Sequence, residues 1–581
     1  MNPIPKVPTL ADLIAHRAQA TPDKVAYIFL RDGQSDELPL TYAQLDRKAR
    51  LIAAHLRESM PVGSRVLINH PPGLEYISSF FGCLYASMIA VPVYPPRFNQ
   101  KLDRLNSIVT SATPSAALTS KQTMETLRQS ISESPLLAPL RWIETDALVD
   151  EEVQLKFAPP SSESLAFLQY TSGSTSDPKG VMLSQGNLMA NLEGIRRAFG
   201  LHGDSRGVIW LPPYHDMGLI GGVLEPAYVG FPVVLFSPFA FLQRPFRWLQ
   251  AVSKYRATTT GAPNFAYELC TRRMSDEQIA ELDLSSVDLA FCGAEPIRGE
   301  MIDRFAERFA PAGFKRSAFY PCYGLAEATL MVSGGAKPEE PVLLAIDGQR
   351  LENDGLAVAS TDPGHKHERT LVGCGKEIAA HKVRVVDPKT HALCSDGVVG
   401  EIWFHGPSVA QGYWQKPEDT ESHFHARIAD DPSGEDFLRT GDLGFLKDGE
   451  LFVTGRLKDL LIIHGRNLYP QDIELTVEKS HAALKAGAGA AFAIAQNEID
   501  KLVVVQEIER KFKDLDLDEV VKAIRAAVMD SHGVSPFAVS LIEPNSIPLT
   551  SSGKIQRHAA RKLFLGGELR ERGRFVESEL Q

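Results

Sequence analysis

Residues 165–181 read LAFLQYTSGSTSDPKGV, and this stretch decides the fold. The apolar run at its start predicts a buried strand that ends in a turn rich in hydroxyl side chains. Gly173 allows the backbone to approach an anion closely, and Lys179 adds a positive charge. The Walker pattern GxxxxGKS/T is absent. We therefore predict a phosphate-binding turn between a strand and a helix that starts near Gln185, with a solvated Ser/Thr turn as the alternative.

Short apolar runs alternate with helical segments on both sides of this turn. Such alternation indicates βαβ units, in which buried parallel strands are covered by helices. Shorter strands after about residue 370 predict a small β-rich region, and a compact α+β unit follows a boundary near 455–460. The predicted strands include Val66–Asn69, Leu165–Tyr170, Gly207–Leu211, Val233–Phe236 and Leu289–Cys292, and predicted helices lie near 74–88, 185–199, 246–254 and 299–309.

The composition is that of an ordinary globular protein. The 581 residues carry a formal net charge of −11, and 44% of them are hydrophobic. We find no basic stripe and therefore predict no nucleic-acid partner. The six cysteines form no CxxC pair, which favours a reducing, cytoplasmic location and predicts no zinc motif. The first residues lack the pattern of a signal peptide.

The uncharged stretch Tyr76–Pro96 is long enough to span a bilayer. It contains several serines, and Pro92 would break a spanning helix near its end. We therefore predict a buried helix followed by a buried strand, and no integral membrane segment.

Further motifs follow the hydroxyl-rich turn in a fixed order. Together with the turn, they resemble the motifs of the acyl-adenylate-forming superfamily, which includes acyl-CoA synthetases, luciferases and peptide-synthetase adenylation domains. The resemblance covers about residues 10 to 560. The motifs are WLPPYHDMGL at 210–219, FCGAEP at 291–296, YGLAEAT at 323–329, GEI at 400–402 with GYW at 412–414, RTGDL at 439–443, GRLKD at 455–459 and PLTSSGK at 548–554.

The resemblance implies an α/β fold with a large N-terminal domain of βαβ parallel sheets and a small β-rich subdomain, followed by a small mobile α+β C-terminal domain. The expected boundaries are 1–455 for the N-terminal domain, 456–460 for the hinge and 461–581 for the C-terminal lid. Lys458 occupies the hinge position. A few loop residues that absorb changes in φ and ψ are sufficient for such a hinge.

The resemblance also implies a reaction in which a carboxylate attacks the α-phosphorus of ATP and pyrophosphate leaves. Both reactants are anions, so the protein must neutralise and align them. ATP and Mg²⁺ are the implied cofactors, and Glu327 is the implied Mg²⁺ ligand. The residues expected to hold the β- and γ-phosphates are Thr171, Ser172, Gly173, Ser174, Thr175 and Lys179.

The nucleoside would lie between two motifs. Tyr323 would stack on adenine, and Asp442 would accept hydrogen bonds from both ribose hydroxyls. Arg456 would bind the ribose or a phosphate. The alternatives are a packed tyrosine, a turn aspartate and a solvated arginine. The remaining implied nucleotide-binding residues are Gly293, Ala294, Glu295 and Gly324.

Two further side chains are implied to act at the reacting atoms. Lys554 would stabilise charge on the carboxylate and the α-phosphate, although a loop lysine is usually solvated. His215 would border the acyl pocket, and the alternative is a structural histidine hydrogen-bonded beside Asp216.

Within the superfamily, the chain resembles the fatty acyl-AMP ligases. An insertion at about 336–371 is typical of that branch, where it is thought to disfavour thioester formation with coenzyme A. The acyl group would pass to the phosphopantetheine of an acyl carrier protein, or of a polyketide or peptide synthase carrier domain, acting in trans because no carrier domain is fused here. A neutral surface loop is the structural alternative for the insertion, and a fatty acyl-CoA synthetase is the functional one.

The substrate is expected to be a medium- to long-chain fatty acid. Apolar residues between Trp210 and Phe246 are of the type that lines a hydrophobic acyl-binding tunnel, although ordinary core packing is an alternative for each of them. Asp216 and Glu225 prevent a firm exclusion of an amino-acid substrate. A catalytically dead nucleotide or lipid binder is disfavoured, because Lys554, Glu327 and Asp442 are all present.

Overall fold

A large, mostly parallel sheet forms the centre of the molecule. The computed structural model describes residues 4–95, 102–149, 160–171, 178–362, 364–463, 465–496, 499–512, 515–550 and 553–577. Inner strands of this sheet are buried along their length because helices cover both faces, whereas antiparallel strands stand at its edges. In spatial order the strands are Lys376–Glu377, Met331–Gly334, Phe319–Gly324, Leu289–Cys292, Thr259–Ala262, Gly207–Ile209, Val233–Phe236, Val25–Leu30 and Glu37–Thr41.

A second sheet contains the strand that leads into the hydroxyl-rich turn. The predicted strand Leu165–Tyr170 is confirmed, and it pairs antiparallel with Gly180–Ser184. That second strand was not predicted: the turn closes a hairpin, and the helix starts only at Gln185. Its few apolar residues are too short a run to be recognised between a loop and a helix. The spatial order is Arg141–Glu144, Ala116–Thr119, Arg65–Ile68, Ile89–Pro92, Leu165–Tyr170 and Gly180–Ser184.

The stretch around Tyr76–Pro96 folds as predicted within the described residues. The helix Leu74–Tyr85 is buried on nearly every side and is followed by the buried strand Ile89–Pro92. Its neighbour, the helix Tyr42–Arg57, begins at Thr41 in a capping box with Gln44. No helix in the described part of the chain combines the length and the apolar character needed to cross a membrane.

Two four-stranded sheets lie in the later part of the chain. The β-rich region contains Lys382–Val386, Gly400–His405, Leu438–Lys447 and Glu450–Arg456 in that spatial order. The C-terminal sheet contains Leu484–Gln496, Ile499–Ile508, Ala538–Ile542 and Glu571–Val576. The helix Leu517–His532 packs an apolar face, including Val520 and Ile524, into the C-terminal core, and Gly533 ends it with φ +64°.

The stretch at about 336–371 contains a small αβ unit. The strands Leu343–Asp347 and Glu368–Val372 pair antiparallel, and the helix Gly348–Asp354 lies between them in sequence. Arg369 donates to Asp472 at 2.8 Å, and Lys366 pairs with Asp530 at 3.1 Å. Polar contacts therefore tie the insertion to the C-terminal part of the chain.

The remaining helical segments cover the sheets or join their strands. One of them, Met217–Leu224, is a π-helix, which has more residues per turn than an α-helix. Short 3₁₀ turns occur at Thr145–Ala147, Ala310–Ala312, Arg316–Ala318 and Ala326–Ala328, and short strands pair at Leu461–Ile463 and Arg466–Leu468. The other helices are Leu10–Ala20, Asp103–Ala112, Lys121–Glu133, Glu225–Val229, Pro238–Gln243, Phe246–Lys254, Asn264–Arg273, Asp276–Ala280, Gly299–Phe309, Pro417–Phe424, Pro470–Ser480 and Arg557–Gly566.

Candidate active site

The neck of the hydroxyl-rich turn, meaning the residues 170–171 and 179–180 on either side of it, is held together by backbone pairing. The Thr171 amide donates to the Lys179 carbonyl at 3.2 Å, and Tyr170 pairs with Gly180. Gly180 is required here, because a Cβ would lie 2.9 Å from the Tyr170 ring. The predicted phosphate-binding residues Ser172, Gly173, Ser174 and Thr175 lie outside the described residues.

Lys179 leaves the neck and lies on the face of Tyr413. Its Nζ is 4.7 Å from the Tyr413 ring centroid and 2.9 Å from the Asp419 carboxylate. The hydrogen bond from Lys179 lowers the pKa of Asp419. The ammonium group is thus held at the edge of the cavity.

Glu327 lies just after the strand Phe319–Gly324, in a tight 3₁₀ turn. A Cβ on Gly324 would lie 1.9 Å from the Leu330 carbonyl oxygen, so only glycine fits there. The Tyr413 hydroxyl donates to the Glu327 carboxylate at 2.9 Å. Burial raises the pKa of Glu327, and the hydrogen bond from Tyr413 opposes that rise.

Tyr323, Asp442 and Arg456 form a connected polar cluster. The Tyr323 hydroxyl donates to Asp442 at 2.7 Å, and the Arg456 guanidinium donates to the other carboxylate oxygen at 3.1 Å. Strand pairing brings Asp442 opposite Arg456. The negative charge of Asp442 raises the pKa of Arg456, while burial and the same carboxylate raise the pKa of Tyr323.

The segment Gly293–Glu295 follows the end of a central strand. Gly293 packs so closely on Cys322 that a Cβ would lie 2.8 Å from its carbonyl oxygen. Ala294 has φ +69°, which turns the chain sharply. The Glu295 carboxylate accepts a hydrogen bond from the Phe265 amide at 2.7 Å, so this side chain braces the turn. Gly293 and Ala294 line the cavity, whereas Glu295 is not among its described lining residues.

His215 contacts Asp216, as its structural alternative predicted, and it also lines the cavity. The His215 Nδ1 is 2.6 Å from the Asp216 carboxylate. Burial would raise the pKa of Asp216, but His215 and the more distant Lys554 outweigh it, so the pKa is lowered. The two interpretations of His215 are therefore compatible.

Lys554 reaches the same cavity from the C-terminal part of the chain. Its loop is closed by a hydrogen bond from the Thr550 amide to the Lys554 carbonyl at 2.8 Å, and Gly553 has φ +87°. Burial lowers the pKa of Lys554, and the charge of Arg456 lowers it further, whereas Asp216 and Glu295 raise it. The ammonium group thus lies among charged groups of several distant motifs.

A cavity of about 290 Å³ joins these groups. Its polar end contains Tyr323, Asp442, Arg456 and Lys554, and Lys458 lies on the same wall. Among the described lining residues, Arg and Lys outnumber Asp and Glu, which suits anionic ligands. Its apolar end contains Ile195, Phe199, Gly221, Phe291, Leu330 and Met331. The other predicted residues on the wall are Thr171, Lys179, His215, Gly293, Ala294, Gly324 and Glu327.

Tyr413, Arg104 and His423 are among the lining residues that received no role from the sequence. Tyr413 belongs to a recognised motif, and its neighbourhood to Glu327 appears only after folding. Arg104 and His423 also line the cavity. Neither stands in a recognisable motif, so only the fold reveals them.

Comparisons with known proteins agree with this geometry. Residues 14–414 match the family of AMP-binding enzymes, and residues 458–573 match the AMP domain of Disco-interacting protein 2-like proteins. The chain is 47% identical to the medium-chain-fatty-acid–[acyl-carrier-protein] ligase JamA of Moorena producens (97% of this chain and 96% of that protein). It is 37% identical to the similarly named TtuA of Teredinibacter turnerae (95% and 93%).

A solved structure extends the comparison to three dimensions. The fatty acyl-adenylate ligase from Legionella pneumophila, determined in complex with acyl adenylate and pyrophosphate, matches with a TM-score of 0.76. It is 40% identical, and the match covers 98% of both chains. The sequence motifs, the sheets and the shared cavity lead to one conclusion: this chain is a ligase of the AMP-binding enzyme family and belongs to its fatty acyl-AMP ligases.

Proposed function

We propose that this enzyme activates a medium- to long-chain fatty acid with ATP and passes the acyl group to the phosphopantetheine thiol of a carrier protein. The observation that carries the proposal is the convergence of Lys554 with Asp442 and Arg456 on a cavity whose other end is apolar. Such a cavity can hold a nucleotide and a lipid chain side by side. JamA and TtuA, whose names specify acyl-carrier-protein ligases, support the choice of acceptor.

In the first half-reaction, the fatty carboxylate attacks the α-phosphorus and pyrophosphate leaves. Asp442 accepts hydrogen bonds from the ribose hydroxyls. Tyr323 stacks on one face of the adenine, and the backbone of Gly293–Glu295 lines the other face. Lys179 and the hydroxyl-rich turn neutralise the outgoing phosphates. Lys554 stabilises the negative charge that spreads between the carboxylate and the α-phosphate. No protein nucleophile is required, because the carboxylate is itself the nucleophile.

Glu327 suits a Mg²⁺ ion. Mg²⁺ is commonly bound by one or two carboxylates together with substrate phosphates, so one carboxylate at the cavity wall fits this pattern. The described residues contain no cluster of three or more His, Cys, Asp or Glu that could hold a metal ion. When bound, the ion would neutralise phosphate charge. Tyr413 would keep the Glu327 carboxylate oriented towards it.

In the second half-reaction, the C-terminal lid (461–581) would turn about the hinge at 456–460, with Lys458 in it, relative to the N-terminal domain (1–455). The carrier thiol would then attack the acyl carbonyl and release AMP. Lys458 is exposed and lies beside Arg456 on the cavity wall, which is compatible with a hinge that opens the site. An acyl carrier protein, or a carrier domain of a polyketide or peptide synthase, is the proposed partner.

The insertion favours a carrier over coenzyme A by holding the lid in its present orientation. Arg369 contacts Glu352 within the insertion and Asp472 in the proposed lid. Its guanidinium also lies 3.1 Å from His532. These partly buried contacts must break before the lid can turn, and breaking them leaves buried charge unpaired. A small, freely diffusing thiol gives no binding energy from a protein surface to offset that cost.

The first experiment supplies ATP and a fatty acid and measures acyl-AMP and pyrophosphate, then adds either coenzyme A or a carrier protein bearing phosphopantetheine. We expect acyl-AMP in every case and thioester mainly on the carrier. Robust acyl-CoA formation would instead favour the acyl-CoA synthetase alternative. Absence of acyl-AMP with every fatty acid would reject the proposed function.

The role of the insertion has its own test. Arg369→Gln should increase acyl-CoA formation relative to acyl-AMP, because it removes contacts to the proposed lid. Arg350→Gln is the matched control, since Arg350 pairs with Asp354 inside the same helix of the insertion. Equal acyl-CoA formation by the two variants would contradict this role.

A further inference from the structure

A second, inner cavity of about 10 Å³ lies behind the apolar end. The two cavities share Phe199, Gly221 and Phe291 as lining residues, so they adjoin across these positions. The inner cavity is about large enough for one water-sized group. An acyl chain that extends past the apolar end would therefore place its terminal group there.

The π-helix Met217–Leu224 connects the two cavities along one wall. Met217 lines the main cavity, Gly221 lines both, and Glu225 lines the inner one. These residues are spaced four apart: Met217 and Gly221 lie in the π-helix, and Glu225 is its C-cap and the first residue of the helix Glu225–Val229, so they follow one another along this wall. Gly222 allows the helix to pack closely, because a Cβ there would lie 2.8 Å from Ile209.

Two aromatic rings separate the cavities. Phe199 and Phe291 stack with centroids 5.7 Å apart and an interplanar angle of 17°. The Phe291 ring lies directly over Gly261, where an added Cβ would fall 2.3 Å from ring atoms. Both rings line both cavities, so an acyl chain that reaches the inner cavity must pass them.

Among the described residues that line the inner cavity, Glu225 carries the ionisable side chain. It is 1% exposed, and neither carboxyl oxygen has a hydrogen-bond partner among the described residues. The nearby Arg196 donates two hydrogen bonds to Glu193, which also accepts one from the Tyr228 hydroxyl at 3.0 Å. The neighbouring polar groups are thus engaged with each other and leave Glu225 without a donor.

The protonation state of Glu225 follows from this setting. Burial raises the pKa of Glu225 well above its ordinary value, and the charge of Glu193 adds to the rise while Arg196 opposes it. A protonated carboxyl group both donates and accepts a hydrogen bond. The other lining side chains are apolar apart from Thr259, in the part of the wall that the structure describes.

We propose that Glu225 recognises the far end of the acyl chain and selects a fatty acid that carries a hydroxyl group at its terminal carbon. This proposal rests on the proposed function and names the substrate class of that site. A terminal hydroxyl matches the carboxyl group, since each donates one hydrogen bond and accepts another. A methyl terminus fills the same space but leaves both carboxyl oxygens unpartnered.

The size of the preference follows from the cost of an unpartnered buried group. An unsatisfied buried polar group costs about 1–3 kcal/mol, which corresponds to about fivefold to 150-fold in kcat/KM. A site that forms hydrogen bonds with a substrate hydroxyl rejects analogues without it, whereas an apolar pocket discriminates weakly against an added hydroxyl. The expected preference is therefore at least about fivefold at the chain length that reaches Glu225.

The experiment measures acyl-AMP formation with two matched series, from hexanoic to hexadecanoic acid and the corresponding terminally hydroxylated acids. Fatty acids of the same lengths that carry an amine or a second carboxyl group at the terminal carbon are also tested. We expect one chain length at which the hydroxylated acid exceeds its methyl-terminated counterpart. Equal kcat/KM for both series at every length would overturn the proposal and leave the proposed function standing. A larger preference for a terminal amine or carboxylate would overturn the choice of hydroxyl.

Two variants of Glu225 test the residue itself. Glu225→Gln keeps a donor and an acceptor and should retain a preference for the hydroxylated acid. Glu225→Leu removes both and should raise kcat/KM for methyl-terminated acids while the hydroxyl preference disappears. A preserved hydroxyl preference in Glu225→Leu would contradict the assignment. Absence of acyl-AMP with every acid in the wild-type enzyme would reject both this inference and the proposed function.

Discussion

At the polar end of the cavity, Asp442 accepts hydrogen bonds from Tyr323 and Arg456, whereas beyond the apolar end Glu225 has no donor among the described residues. Both carboxyl groups are buried, at 7% and 1% exposure. At the polar end a cation and a hydroxyl compensate for lost hydration, while at Glu225 protonation does so. The comparison teaches that partners, rather than burial alone, decide whether a buried carboxyl group can serve as an anion.

The largest effect is expected at the polar end. Lys554→Ala should reduce acyl-AMP formation by about 10²–10³-fold, because it removes a preorganised charge at the reacting atoms. Lys562→Ala is the matched control, since Lys562 is exposed on the following helix. Pyrophosphate release measures the rate, and circular dichroism checks the fold. Equal rates for the two variants would show that Lys554 has no role in the chemistry.

Asp442→Asn sharpens the comparison by removing charge while keeping the shape of the side chain. It weakens the pairing with Arg456 and the acceptance of ribose hydroxyls, both of which use the anion. We expect kcat/KM for ATP to fall by about tenfold to a hundredfold, the range for hydrogen bonds to charged groups. The KM for the fatty acid should change much less. If the KM for the fatty acid changed as much as the KM for ATP, the result would indicate general damage to the fold.

A smaller effect is expected where a single hydrogen bond supports a carboxylate. Tyr413→Phe removes the donor to Glu327, so the pKa of Glu327 should rise further above its ordinary value. The carboxylate is then lost at a higher pH, and the acid limb of the pH–rate profile should move upward, with activity at neutral pH reduced by about two- to tenfold. The profile is measured at several Mg²⁺ concentrations. An unchanged acid limb would separate Tyr413 from the titration of Glu327.

The smallest expected effect concerns stability and tests the other side of the comparison. The pKa of Glu225 is raised in the folded state, so the folded protein retains a proton that the unfolded chain releases above its ordinary pKa of 4.5. Stability from this residue is present below that pH and decreases as pH rises, by about 1.4 kcal/mol per unit until the folded-state pKa is reached.

Glu225→Gln cannot release a proton and should lack this decrease. The difference in unfolding free energy between Glu225→Gln and the wild type should therefore grow in favour of the variant as the pH rises above about 5. Chemical denaturation at several pH values measures it. Glu125→Gln, at an exposed helical position, is the control. A difference that is independent of pH would mean that Glu225 is ionised in the folded protein.

Local signals in the sequence were sufficient for much of the fold. The apolar runs predicted the buried strands Leu165–Tyr170 and Leu289–Cys292, and the helix-strand interpretation of 76–96 was correct over the described residues. The strand Gly180–Ser184 was missed because its identity depends on pairing with Leu165–Tyr170, which local residue types do not reveal. Tertiary pairing decided that segment.

The sequence predicted those site residues that stand in recognisable motifs and missed those that do not. Tyr323, Asp442 and Lys554 stand in recognisable segments, and the cavity joins them. Tyr413 contacts Glu327 and Arg104 lines the cavity only once the chain is folded, and residue spacing along the chain does not predict either position. Glu225 was visible as a charge in an apolar stretch, but its isolation from donors depends on the packing of Arg196 against Glu193.

The contact between Phe291 and Gly261 has a consequence for how this enzyme could diversify. A Cβ at position 261 would overlap the Phe291 ring, so a single methyl group there would force the ring out of its present place, and Phe291 lines both cavities. Residue 261 would then act as a ruler for acyl length without touching the adenylation machinery. Relatives with shorter preferred substrates could arise through one such codon change, while the nucleotide chemistry continued unaltered.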